Sequence, residues 1–144
     1  MKFLFSFPPS LFGKFVSTNA IGTVVDTVTL WLLATFVFES KTEQYVLGPI
    51  ISFELAVLNN FSLSYFWIWK GRVQKTVKDY ARRFLFYNLN CFLVFLLKLL
   101  LLLAVAFLFG LNVVYCNLIA LSITGLVNFL IQDRLIFSAG PGQP

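Results

Sequence analysis

The sequence predicts an all-α membrane protein: four transmembrane helices arranged as two helical hairpins in a parallel repeat, with both termini on the cytoplasmic side. Three observations carry this. Hydrophobic residues make up 59% of the 144 residues and charged ones only 12%, where a soluble domain carries about 25% charged residues. The apolar residues gather in four runs, each long enough to cross a hydrocarbon core of about 30 Å, which takes roughly 20 helical residues. Lysine and arginine collect on one side of those runs.

The chain opens with Met1-Lys2 and a short apolar stretch that ends at Pro8 and Pro9. That stretch is too short for the apolar region of a signal peptide and reads as an interfacial lead-in. The spans follow at about 15–38, 46–69, 84–109 and 113–137. Segment 39–45 separates the first two and Gly110-Leu111-Asn112 joins the last two, so each pair reads as an antiparallel hairpin. Backbone that crosses lipid must satisfy its hydrogen bonds internally, and continuous apolar runs of this length do so as helices.

Orientation follows from the basic residues. Lys70, Arg72, Lys75, Lys78, Arg82 and Arg83 lie between the second and third spans, with Lys2 and Lys14 before the first and Arg134 at the end of the last. The opposite side has Lys41. Both termini and the 70–83 loop are therefore expected in the cytoplasm, in the inner membrane of a cell. Basic residues parcelled out by apolar runs do not form a nucleic-acid footprint, although the net charge is +5. Within the loop, Val73, Val77, Tyr80 and Phe84 recur at helical spacing and predict a short amphipathic helix on the membrane surface, the alternative being a solvated loop that only sets the topology. Trp67, Trp69, Tyr45 and Tyr115 fall where interfacial anchors belong.

The two halves of the chain resemble each other. Lys14-Phe15 with Asn19 returns as Arg83-Phe84 with Asn88 at an offset of 69, and Asn60-Phe61 with Trp69 returns as Asn128-Phe129 with Phe137 at 68. Each half enters from and returns to the same side, which makes the repeat parallel. The motifs Thr23 with Asp26, Ser52-Phe53-x-x-Ala56-x-x-x-Asn60-Phe61 running to Trp67-x-Trp69, and Asn128-Phe129 running through Asp133-Arg134 to Phe137 resemble the GtrA-like family over residues 14–137. The chain departs from the family pattern by having Asn19 ahead of Gly22, and by Tyr65-Phe66 where a basic residue is common. The resemblance implies a role in cell-surface polysaccharide or glycolipid synthesis, beside a membrane glycosyltransferase. It implies a flippase of polyprenyl-phosphate-linked sugar or of its carrier.

The residues themselves add a candidate site. A charge at mid-bilayer costs at least about 2.5–3.5 kcal/mol, so each needs a purpose. Asp26 lies about 18 Å up the first helix from Lys14, and Lys98 and Glu54 each lie about 22 Å from the basic side, at 1.5 Å per residue. Asn19, Thr23 and Asp26 share a helix face, as do Asn117, Ala120, Thr124 and Asn128; Asn88, Cys91 and Lys98 lie near one another around the third helix. The expectation is a polar cavity in which Lys98 meets the phosphate of a lipid carrier, with Asp26, Glu54 and the asparagines serving sugar hydroxyls. The competing reading is a buried ion pair of Lys98 with Asp26 or Glu54 that orders the helices. Asn60 and Asn128 equally suit helix–helix hydrogen bonding, and Arg134 suits either a lipid phosphate or a snorkelling side chain.

With no histidine, no nucleophile beside a base and no metal-ligand spacing, neither enzyme activity nor a metal or cofactor is expected. Cys91 and Cys116 read as separate free thiols. Small residues at Gly13/Ser17, Thr18/Gly22 and Ala120/Thr124 permit close helix contacts. Four helices enclose little space for a sugar, which predicts a homodimer. The alternatives to a translocase are a non-transporting anchor for a glycosyltransferase and a small-solute or ion carrier using Asp26 and Glu54.

Overall fold

The computed structural model describes residues 8–138; the lead-in before Pro8 and the tail after Ser138 lie outside the described residues. The chain forms two compact units, Met1–Lys70 and Gly71–Pro144. Each contains two long apolar helices, and the described residues hold four helices long and apolar enough to cross a membrane.

In the first hairpin, α1 (Pro9–Val37) starts earlier than hydropathy alone places it. Pro8 is extended and Pro9 stands at the first helical position, where a missing N–H costs nothing and the fixed φ already suits a helix. Four polar side chains on α1 donate to its own carbonyls, Ser17 to Gly13 O at 2.9 Å, Asn19 to Phe15 O at 2.8 Å, Thr23 to Asn19 O at 3.1 Å and Thr27 to Thr23 O at 2.8 Å, while the buried Thr18 hydroxyl has no hydrogen-bond partner among the described residues. That local pairing lets polar side chains sit in an apolar medium. α1 ends in a wide π-helical turn, Leu33–Val37, before Phe38 turns extended.

The turn to α2 (Glu43–Ile68) has a capping box that the hydropathy pattern hides. The Ser40 hydroxyl accepts from Glu43 N at 3.2 Å while the Glu43 carboxylate accepts from Ser40 N at 3.1 Å, satisfying two orphan donors at once. Gln44 then reaches back to donate to Ala34 O (3.1 Å) and Phe38 O (2.9 Å), covering carbonyls that the end of α1 leaves open. The first turn of α2, Glu43–Leu47, is again π-helical. Pro49 just beyond it lacks an N–H and crowds the preceding turn, a standard cause of a widened helix. α2 buries Ser52, Ala56, Val57, Phe61 and Tyr65, while α1 buries Phe15, Thr18 and Gly22.

In the second hairpin, α3 (Val77–Phe109) begins at a Thr76 cap whose hydroxyl accepts from Asp79 N at 3.2 Å. The expected surface helix over 73–84 is not separate: from Val77 it is the opening of one 33-residue helix. Val73 lies in the loop ahead of that helix and is buried there. The Thr76 cap and the Asp79 carboxylate, which also accepts from Gln74 N at 3.1 Å, start the helix a full two turns before the apolar run does. Gly110 closes α3 in the left-handed conformation at φ 60°, which only glycine enters without strain. α4 (Val113–Ile131) returns through a π-helical turn, Gln132–Ile136. It buries Cys116, Ala120, Thr124, Phe129 and Gln132. Both cysteines are free.

Candidate functional site

The basic end of the second hairpin holds the densest polar chemistry. Arg83 follows Asp79 by four residues, so both project from one face of α3, and Arg83 Nε donates to Asp79 Oδ1 at 2.9 Å. The same guanidinium donates to Ile136 O at the end of α4 and to Arg72 O at 3.3 Å in the preceding loop. Its plane lies over the Phe137 ring, 5.9 Å from the centroid. The π-helical turn leaves terminal carbonyls without intrahelical donors, and Arg83 supplies one. Alongside, Arg72 donates to Asp133 Oδ1 at 2.6 Å and to Asp133 O at 3.0 Å. Loop, α3 start and α4 end are thus clasped by two arginines. With side-chain exposures of 9% and 3%, Arg83 and Asp79 depend on each other: removing one member of such a pair leaves a buried charge uncompensated.

Arg83 is therefore committed to structure. Its neighbour Arg82 is not: the side chain is 66% exposed and approaches Asp79 only to 3.9 Å.

Beyond Arg83 a chain of amides joins the helices. Asn90 donates to Asn128 Oδ1 at 2.6 Å, and Gln132 donates to the same oxygen at 3.0 Å. The Gln132 Oε1 is buried and has no hydrogen-bond partner among the described residues. Buried amides of this kind hold membrane helices together, and such a network fixes which faces meet.

Between α3 and α4, a groove of about 460 Å³ runs beside this network. Arg82 stands at one end; Phe86, Leu89 and Leu93 form one wall from α3, and Ile131 and Leu135 the other from α4. The stripe from Arg82 to Leu93 covers about 16 Å at 1.5 Å per residue.

The other sequence-predicted residues are distributed between the hairpins. In the first, Asn19 and Asp26 are half-buried and Thr23 and Glu54 exposed. Asp26 has no ion pair within its own hairpin among the described residues. Asn60 lies against α1 where Gly22 leaves room, since a Cβ at Gly22 would fall inside the Asn60 carboxamide. In the second, Lys98 is half-buried, likewise without an ion pair within its own hairpin among the described residues. Asn88 is half-buried and Arg134 exposed. Of the predicted residues, Asn128 enters a hydrogen bond between α3 and α4, with Asn90 as its partner.

Sequence reasoning missed Asp79, Arg83, Arg72, Asp133, Asn90 and Gln132 as a set. The four-residue spacing of Asp79 and Arg83 was a readable signal; the pairing of Arg72 with Asp133, 61 residues apart, was not. The expected anchors Tyr45 and Tyr115 are 77% and 63% exposed, but Trp69 is buried at 1%.

No protein of curated function and no solved structure matches the chain. The family model for the GtrA/DPMS transmembrane domain matches residues 14–137, from the basic residue that opens the first hairpin to the aromatic residue that closes the second. The four spans, the paired Asn-Phe motifs and that match lead to one conclusion: this multi-pass membrane protein belongs to the GtrA/DPMS transmembrane domain family.

Proposed function

We propose that the protein moves a polyprenyl-phosphate-linked sugar, or the lipid carrier itself, between the leaflets of the inner membrane. The observation that carries this reading is the family match over residues 14–137, which ties the chain to the handling of polyprenyl-phosphate-linked sugars in a membrane. In this reading the termini and the 70–83 segment face the cytoplasm, because nine of the eleven basic residues lie on that side of the spans. A membrane glycosyltransferase supplies or uses the lipid, and two copies of the chain complete the passage.

Lys98 supports the reading as a cation within a span that its own hairpin leaves without an ion pair among the described residues. A lysine kept at that depth needs an anionic visitor or water, and a phosphate meets the need. Asp26, half-buried on α1, serves hydroxyl groups of the sugar in the same way. No catalytic step is assigned to the chain.

The test is reconstitution of the purified protein alone in liposomes with a labelled polyprenyl-phosphate sugar. Label is expected to change leaflet with the wild type and to slow at least tenfold with Lys98→Ala, roughly the weight of one charge-assisted contact. Label that never crosses, while the protein still retains a glycosyltransferase on affinity resin, turns the reading into that of an anchor.

A further inference from the structure

We infer that the groove between α3 and α4 is a binding site for a single-chain lipid phosphate, with Arg82 holding the phosphate and the apolar stripe of α3 holding the chain. The inference rests on the proposed function only for the identity of the lipid.

Charge is the first argument. Two arginines stand side by side at the head of the groove, and only one is spent. Arg83 donates to Asp79, Ile136 O and Arg72 O, while Arg82 keeps a largely exposed guanidinium 3.9 Å from a carboxylate that already accepts from Arg83 and Gln74 N. A planar fork of donors with weak local competition is the group best suited to grip a phosphate in two places. Arg83 cannot take the part, because leaving its acceptors would strand Asp79 in a buried position.

Geometry is the second. Arg82, Phe86, Leu89 and Leu93 follow at spacings of four, three and four, so they form one line along α3. The cation sits at the basic end of the hairpin, and from it the α3 wall runs for about 16 Å, apolar but for Asn90. That order, charge at the interface and grease inward, is the order of a lipid: headgroup first, chain after. Ile131 and Leu135 close the far wall. The volume of about 460 Å³ lies within the range of roughly 300–1,000 Å³ typical of ligand sites.

The experiment uses the full chain in nanodiscs of phosphatidylcholine, with a polyprenyl phosphate as probe and the uncharged polyprenol as its control. Arg82→Gln is expected to weaken the phosphate about tenfold, one charge-assisted contact, and to leave the alcohol unchanged. Leu89→Trp, which fills the groove from an exposed position, is expected to weaken both. On the wild type, a diazirine-bearing polyprenyl phosphate should label α3 between residues 82 and 93 and α4 between 131 and 135, a readout that no variant's folding can disturb. Unchanged binding in both variants, labelling elsewhere, or displacement of the probe by equal inorganic phosphate or phosphatidylglycerol overturns the site. Groove binding without any leaflet exchange sinks the translocase and keeps the groove; exchange that persists at the wild-type rate in both variants does the reverse.

Discussion

The two hairpins end their second helices alike and secure those ends differently. Ser64–Ile68 and Gln132–Ile136 are both π-helical, 68 residues apart, and each is followed by a fully buried aromatic residue, Trp69 or Phe137. In both, a basic residue from the first helix lies over an aromatic ring at that end: Lys14 Nζ is 5.6 Å from the Trp67 centroid, and Arg83 is 5.9 Å from that of Phe137. The second hairpin adds the buried Arg83–Asp79 ion pair. The amides differ too: Asn60 packs on the bare backbone of Gly22, whereas Asn128 accepts from Asn90 and Gln132. One backbone solution is thus held by close packing in one place and by charge in the other. The charged version exposes its loop segment to precise placement, and it is the version beside the groove.

This contrast can be broken at four places, read by thermal unfolding in detergent. Arg83→Met has the largest expected effect, a loss of roughly 3–5 kcal/mol, because the buried Asp79 loses its closest cation and keeps only Arg82 at 3.9 Å. A smaller loss, equal to that of Lys14→Met, would erase the distinction between the hairpins. Next comes Gly22→Ala, expected to cost about 1–3 kcal/mol as overpacking against Asn60. Gly13→Ala, with open space at its Cβ, should instead gain about 0.5–1 kcal/mol. Asn60→Ala in the Gly22→Ala background should recover most of that loss, a coupling that a double-mutant cycle reads directly.

Third, Asn128→Ala is expected to lose about 0.6 kcal/mol and at most about 1.7, the range for hydrogen bonds between membrane helices. Asn60→Ala should lose less, since the amide contact it makes with Asn59 is 3.5 Å long. Lys14→Gln should cost a comparable amount, about 0.5–1 kcal/mol for a cation over a tryptophan face near the surface.

How much of this the sequence carried depends on the physics of each feature. Four spans and their pairing into hairpins follow from run length alone, which no tertiary contact overrides in lipid. The start of α1 is written in Pro8-Pro9, though a count of apolar residues passes over it. The aromatic ends are harder. A wheel drawn at 3.6 residues per turn misplaces every residue after a π-helical turn by one position, about 100° of rotation. Trp69, which reads as an interfacial anchor, is thereby turned inward. The same uncertainty of phase applies along α3: Asn88 and Asn90, two residues apart, face different ways, and the position of α4 sets Asn90 against Asn128. The amphipathic segment before Phe84 misled for another reason. Its spacing is helical, and the helix exists, but the Thr76 cap joins it to the span that follows.

That continuity gives α3 a property of its own. Thirty-three residues make a rod of about 50 Å at 1.5 Å per residue, against a hydrocarbon layer of roughly 30 Å. A rod too long for its slab leans or protrudes. Since Arg83 and Asp79 tie the first turns of α3 to the last residues of α4, any lean must be shared by both helices of the pair. Thickening or thinning the bilayer then acts on the hairpin as a lever, with the arginine clasp as its fulcrum.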